Sequence, residues 1–280
     1  MECCRILLNR ALLVGSCLLV STVVLSPLGR AASAPTVVEV PKGPAFVKPP
    51  SATEIKARKG LTLKQDSLLR TTKPGRMQVK LSDGREFRMG GNALLRLKPT
   101  SVQLLKGSII GWIKPGQKRS QPFTIQTRLA TASIQGTTVF IELSEEVFKV
   151  FSWEGRVLVT TSAGEQFSLD SGQQLLLDLT QPVVSVSGER FGDDGFGNEG
   201  YGDDGYGDGG YGANDAGDVD SAVETFEWSP PQRISEAEVR QRMQNSQLIN
   251  GFSTPLDTLP EIERELGVPA AGSSQRPTPP

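Results

Sequence analysis

The chain contains no histidine, and its three cysteines, Cys3, Cys4 and Cys17, all stand within the first seventeen positions. The commonest general base and metal ligand is therefore missing. With no histidine anywhere in the chain, nucleophile pairs of the Ser–His and Cys–His kind are impossible. A Ser–Lys pair would need its serine on a strand-to-helix elbow, and no Gly-x-Ser-x-Gly or Ser-x-x-Lys stands in that setting. Glu145-Glu146 reads as a solvated hairpin turn, not an acid–base couple. The residues predict a protein that is not an enzyme, with no catalytic residue, no metal ligand set and no cofactor.

What remains is charge. The formal net charge of −1 conceals strong segregation along the chain. Between Lys56 and Arg128 there are seventeen Lys/Arg against Asp66, Asp83 and Glu86, a net of +14, whereas Phe191–Glu227 carries eleven acids and no base. Lys114, Lys118 and Arg119 are the candidates for a basic binding face. Phe87, Trp112 and Phe123 interleave too sparsely with the cations for base stacking, so nucleic acid is not the expected partner. An anionic envelope polymer, or weak contact with the chain's own acidic tract, suits the charge better.

The N-terminus reads as an export signal. Arg5 and Arg10 precede the apolar run Ala11–Leu25, and the small residues Ala31-Ala-Ser-Ala34 follow. Pro35 disfavours cleavage after Ala34, which leaves Ala31 or Ser33. All three cysteines would leave with the signal, so the mature chain could form no disulfide. Retention of the run as a membrane anchor is the alternative. Val14-Gly-Ser-Cys17 resembles a lipoprotein box, but the apolar run continues past it.

The expected organisation is residues 1–33 signal, 34–54 a Pro-rich leader, 55–187 a β domain, 188–227 an acidic linker and 228–280 a helical and Pro-rich tail. Pro35, Pro41, Pro44, Pro49 and Pro50 mark the leader as extended and unable to contribute much core. In the β domain, Val/Ile/Leu/Phe/Thr runs recur with a glycine-containing turn signal about every eight to twelve residues. Asp83-Gly84, Lys106-Gly107, Gln135-Gly136, Glu154-Gly155 and Ser171-Gly172 are such signals. Met77, Val79 and Leu81 alternate with Gln78 and Lys80. The fold class that follows is all-β, stacked short hairpins with β-helix or β-sandwich character.

The linker repeats Phe/Tyr-Gly-Asp-Asp-Gly with period five. One ring per repeat cannot offset the chain entropy of so much glycine, which predicts disorder. The period matches neither an EF-hand loop nor the Ca²⁺-binding nonapeptide, so only loose condensation of divalent cations would be expected there. In the tail, Ser235-Glu-Ala-Glu238 is a capping box opening a helix to about Leu248. Thr258-Leu-Pro-Glu261 repeats the start signal, and Gly267 ends a short second helix.

From Leu61 to Leu179 the order of motifs resembles the FecR family of bacterial envelope proteins. The resemblance rests on Leu68-Leu-Arg-Thr71, Val79-Lys-Leu-Ser-Asp83-Gly84, Leu104-Leu-Lys-Gly107 with Trp112, and Pro122-Phe-Thr-Ile-Gln-Thr127. The paired signatures Ile134-Gln-Gly136-Thr137-Thr-Val-Phe and Trp153-Glu154-Gly155-Arg-Val follow, and Ser171-Gly172-Gln173 closes the set. It implies that Asp83, Gly84, Gly107, Gly136, Thr137, Glu154, Gly155 and Gly172 are structural corners. It also implies an exported domain that recognises a protein partner. Family members that regulate sigma factors carry a cytoplasmic segment before a membrane span; here about ten residues precede the apolar run, too few for that task.

The function expected is thus a non-enzymatic, exported binding or signalling module for a protein or envelope polymer, periplasmic or in the cell envelope. A structural envelope component is the alternative, or a membrane-held sensor if the signal is not cleaved.

Overall fold

β-Branched and aromatic residues at every second position build strands with one face inward. In the computed structural model these strands pair into two layers. The structure describes residues 34–116, 122–180, 183–184, 224–225 and 227–268. The export signal, Lys118, Arg119, most of the acidic tract with its expected disorder, and the Pro/Ser tail lie outside them.

In chain order the strands are β1 (Thr36–Lys42), β2 (Ala45–Lys48), β3 (Ile55–Lys56), β4 (Leu68–Thr71), β5 (Arg76–Lys80), β6 (Glu86–Met89) and β7 (Leu94–Leu97). Then come β8 (Ser101–Trp112), β9 (Phe123–Gln126), β10 (Ala130–Ile134), β11 (Thr138–Leu143) and β12 (Val147–Glu154). β13 (Val157–Thr161), β14 (Gln166–Leu169) and β15 (Gln173–Asp178) complete the main run. The two-residue strands β16 (Val183–Val184) and β17 (Glu224–Thr225) pair with each other, and β18 (Gln232–Arg233) adds to the edge of β15.

The first layer has the order β1-β5-β6-β8-β11-β12-β15-β18, and the second β3-β2-β4-β7-β8-β9-β10-β13-β14. β8 belongs to both. Its first half pairs with β7 and, in parallel, with β9; its second half pairs with β6 and β11. The sequence predicts a turn at Lys106-Gly107, yet one continuous strand passes through it. Gly107 has φ +93°, and a Cβ there would lie 2.5 Å from Ala93 Cα. Glycine lets the strand bend from one layer into the other, a corner made by deformation instead of a hairpin.

Val37, Val79, Phe87, Ile109, Val139 and Val150 from the first layer share one core with Leu69, Leu95, Phe123, Ile125, Ile134 and Val157 from the second. A Cβ at Gly111 would come within 2.8 Å of Phe123 Cε1, so the layers meet closely there. Each such buried side chain contributes about 1.5–3 kcal/mol. The leader belongs to this core, contrary to the expectation that it contributes little to it. Val37, Ala45 and Val47 are at most 1% exposed in β1 and β2. Pro35, Pro44 and Pro49 flank the strands, and Pro41 falls in the register irregularity of β1 between Glu39 and Lys42; the β domain therefore starts at about residue 36 instead of 55.

The tail packs onto the β domain. α1 (Glu236–Asn245) starts at Ser235, whose side chain accepts the Glu238 N–H at 3.2 Å. Ser246 ends α1 before Leu248 and caps α2 (Gln247–Asn250) through the Ile249 N–H. α3 (Leu259–Leu266) has Pro260 in its first turn and ends at Gly267, φ +64°. Thr258 makes no side-chain cap; its hydroxyl is engaged elsewhere. These helices lie on the outer face of the first layer, where Val239, Met243, Leu248, Ile262 and Leu266 form a second apolar cluster with Ile110, Trp112, Phe151 and Trp153. None of the described helices is long and apolar enough to cross a membrane.

Candidate functional site

The outer face of the first layer is built from the residues that alternate with the core positions. β5 offers Gln78, β6 Glu86 and Arg88, β8 Ile110 and Trp112, β11 Thr138 and Phe140, and β12 Phe151 and Trp153. Arg88 is its centre. It is fully buried, donates from Nε to Gln78 Oε1 at 2.9 Å, and from its terminal nitrogens to the carbonyls of Leu248 (2.9 Å), Ile249 (3.1 Å) and Thr254. Its guanidinium lies 4.3 Å from the ring centre of Phe252 and 5.4 Å from that of Trp112. Burial pushes its pKa down to about 10, with Glu39, Glu86 and Asp257 opposing, so the group stays charged at neutral pH.

The network continues outward. Gln78 Nε2 donates to Glu86 Oε2 at 2.7 Å, and Lys114 lies 3.4 Å from Glu86 and 3.3 Å from Asp257. Burial opposes the Lys114 charge, but Glu86 and Asp257 outweigh it and raise its pKa. Trp112 Nε1 donates to Asp257 Oδ2 at 3.3 Å. Lys114 thus holds the C-terminal segment in place. Lys118 and Arg119, grouped with it as a basic face, lie outside the described residues.

The corner residues meet the same segment. Gly84, Gly107, Gly136, Gly155 and Gly172 all have positive φ, and Asp83 pairs with Arg85 at 2.7 Å. At Gly155 (φ +64°) a Cβ would lie 2.4 Å from Thr137 Cγ2, so the two signature turns pack directly against each other. The Gly155 N–H donates to Glu265 Oε2 of α3 at 2.8 Å, and the Gly172 carbonyl accepts the Ile234 N–H at 3.1 Å. Glu154 is 5% exposed and accepts from Thr138 Oγ1 at 3.0 Å; Thr138 lies 2.6 Å from Thr258 Oγ1. Burial pushes Glu154 up to about 7; the Thr138 hydrogen bond opposes this, and Glu265 and Glu261 add to it.

Beside this contact zone, between β11–β12 and α1–α2, lies a cleft of about 630 Å³. Phe140, Phe151 and Trp153 supply aromatic walls, and Lys42, Lys73, Arg76, Lys149 and Arg242 a cationic border. Sequence reasoning missed both Arg88 and this cleft. The signal was present in β11 and β12, whose apolar residues occupy both faces: Val139, Ile141 and Val150 inward, Phe140, Phe151 and Trp153 outward. A strand apolar on both faces must be covered on both. Among the described residues, no group of three or more acidic or cysteine side chains could hold a metal ion.

Residues 67–158 match the family model described as FecR protein. Two crystal structures, at 1.65 and 2.50 Å, of a candidate anti-sigma factor from Parabacteroides distasonis are similar at 18% identity and a TM-score of 0.36. The similarity covers 40% of this chain, and the chain spans 55% of the length of that one. No curated protein matches the chain.

Proposed function

Residues 67–158 are a FecR domain, and from that premise we propose that the chain is an exported regulatory or binding module that acts by contact, without chemistry of its own. Its partner is a protein or an anionic envelope polymer, engaged at the outer face of the first layer. The observation that supports this reading is the grip of Arg88 on the carbonyls of Leu248, Ile249 and Thr254. That face already binds a polypeptide backbone, which happens to be its own. A buried guanidinium flanked by Trp112 and Phe252 is the kind of anchor that dominates protein recognition. A partner loop presenting carbonyls and one ring could take the same place. Export rests on the charged start, the apolar run and the small residues before Pro35.

The test places a photoreactive amino acid at Phe140, on this face, and at Leu158, exposed on β13 of the other layer, in the full chain inside intact cells. A discrete crosslinked species from position 140 alone, in the envelope fraction, is the expected result. Equal labelling from both positions would remove the assigned face. Full-length protein recovered from the cytosol would remove the exported module altogether.

A further inference from the structure

The cleft beside the C-terminal helices has a chemistry that the contact network does not use. Of the residues lining it, Glu142 is the one carboxylate, and it sits 3.5 Å from Lys149. Arg242 is paired with Glu238 at 2.6 Å and lies 5.3 Å from the Phe151 ring centre. Arg76 donates to the neutral Gln247 side chain. Lys42 and Lys73 make no ion pair among the described residues. The border is therefore positive in excess of its own carboxylates.

Two orphaned donors point the same way. Trp153 is 3% exposed, and its Nε1 has no acceptor among the described residues; neither does the buried Nε of Arg76. Buried indole N–H groups normally find a partner, and buried polar groups left unpaired need an explanation. Both residues line the cleft. An occupant carrying acceptor oxygens would satisfy what the protein leaves open, and among the described residues no lining residue has a buried acceptor left unpaired.

The walls add the second half of the specification. Phe151 and Trp153 meet edge to face, 4.8 Å apart at 89°, and Phe140 extends the apolar surface along β11. At the far end, Gly90 and Gly91 remove side chains where a Cβ on Gly90 would lie 2.6 Å from Ser108 Oγ. A volume of about 630 Å³ is that of a site for one small organic molecule.

We infer that this cleft binds a small organic anion, with a phosphate, sulfonate or carboxylate at the Lys42–Lys73–Arg76 border and a ring or apolar body against Phe140, Phe151 and Trp153. The anionic group accepts from Trp153 Nε1 and Arg76 Nε after small side-chain movements. This ligand is distinct from the macromolecular partner proposed above, and its site does not depend on that partner.

Anilinonaphthalene sulfonate, a sulfonate on fused rings, is the probe, titrated into the full mature chain by fluorescence and calorimetry. One saturable site is expected, with the uncharged N-phenylnaphthylamine binding at least about tenfold more weakly. Lys42→Glu combined with Lys73→Glu should weaken the sulfonate by at least about tenfold at unchanged Tm. If that variant fails to fold, Lys73→Gln with a salt titration of the wild type replaces it, and weakening in both is required. Equal affinity for the neutral probe, no saturable site, or no response to either lysine change overturns the inference. Two further arms separate ligand sources. Pelleting with phosphatidylglycerol vesicles, lost in the double variant, assigns a lipid headgroup; displacement of the probe by hexyl phosphate without pelleting assigns a soluble anion. Neither pelleting nor displacement also overturns it.

Discussion

Glu154 shows how one signature residue carries two demands. Its neighbour Gly155 must be glycine for the turn, while Glu154 itself is enclosed by Thr138 and by Glu261, Arg264 and Glu265 of α3. Because its pKa rises from 4.5 to about 7 on folding, the folded state holds the extra proton between those values. Stability from this group is then greatest below about pH 4.5 and is lost as pH rises to about 7. Glu154→Gln keeps an acceptor for Thr138 and removes the titration. Thermal melts of the variant should match wild type near pH 4 and exceed it near pH 8, with a flatter profile between. A wild-type profile retained by the variant would assign the pH dependence to another group.

At the scale of elements, the C-terminal segment behaves as a covering layer, and Arg88 on β6 is its principal fastening. Arg88→Met keeps a long apolar stem but leaves three carbonyls and Gln78 Oε1 without their donor, a loss of at least about 3 kcal/mol. Hydrogen exchange should accelerate first at residues 248–254 and in α1, before β9 and β10 respond. Uniform acceleration throughout would mean that the segment does not open separately. The strands themselves were largely legible: the alternating Met77 and Val79 are buried in β5, and Gln135-Gly136 and Glu154-Gly155 are glycine corners as expected. Ser235 and Gly267 likewise bound helices where capping chemistry places them. Two features were hidden for physical reasons. Lys106-Gly107 has turn composition, and only tertiary pairing on both sides of β8 keeps it in a strand. The leader's prolines suppress the local strand signal, and long-range pairing of β1 with β5 and β2 with β4 restores it. Arg88 was hidden because a cation in a basic stretch reads as solvated, and its carbonyl partners lie some 160 residues away.

For the whole molecule, the consequence is that the region matching the FecR family model is not a free-standing sandwich. The family match ends at residue 158, yet β14, β15 and β18 extend its layers and α1–α3 cover its outer face. A chain ending at Pro230 would uncover Ile110, Trp112, Phe140, Phe151 and Trp153 together and strip Arg88 and Lys114 of their C-terminal contacts. An exposed aromatic patch of that kind drives association. The truncated chain should therefore sediment as concentration-dependent oligomers with a lowered Tm, and a separate peptide of residues 231–268 should return it to the monomer. The peptide arm distinguishes loss of cover from a general folding defect, since a misfolded domain would not be rescued by it. A truncated chain that stays monomeric at wild-type Tm would show that the outer face tolerates water. The reading of that face as a recognition surface built around Arg88 would then fail, whereas the cleft's anion chemistry would still be tested by its lysine variants in the full chain.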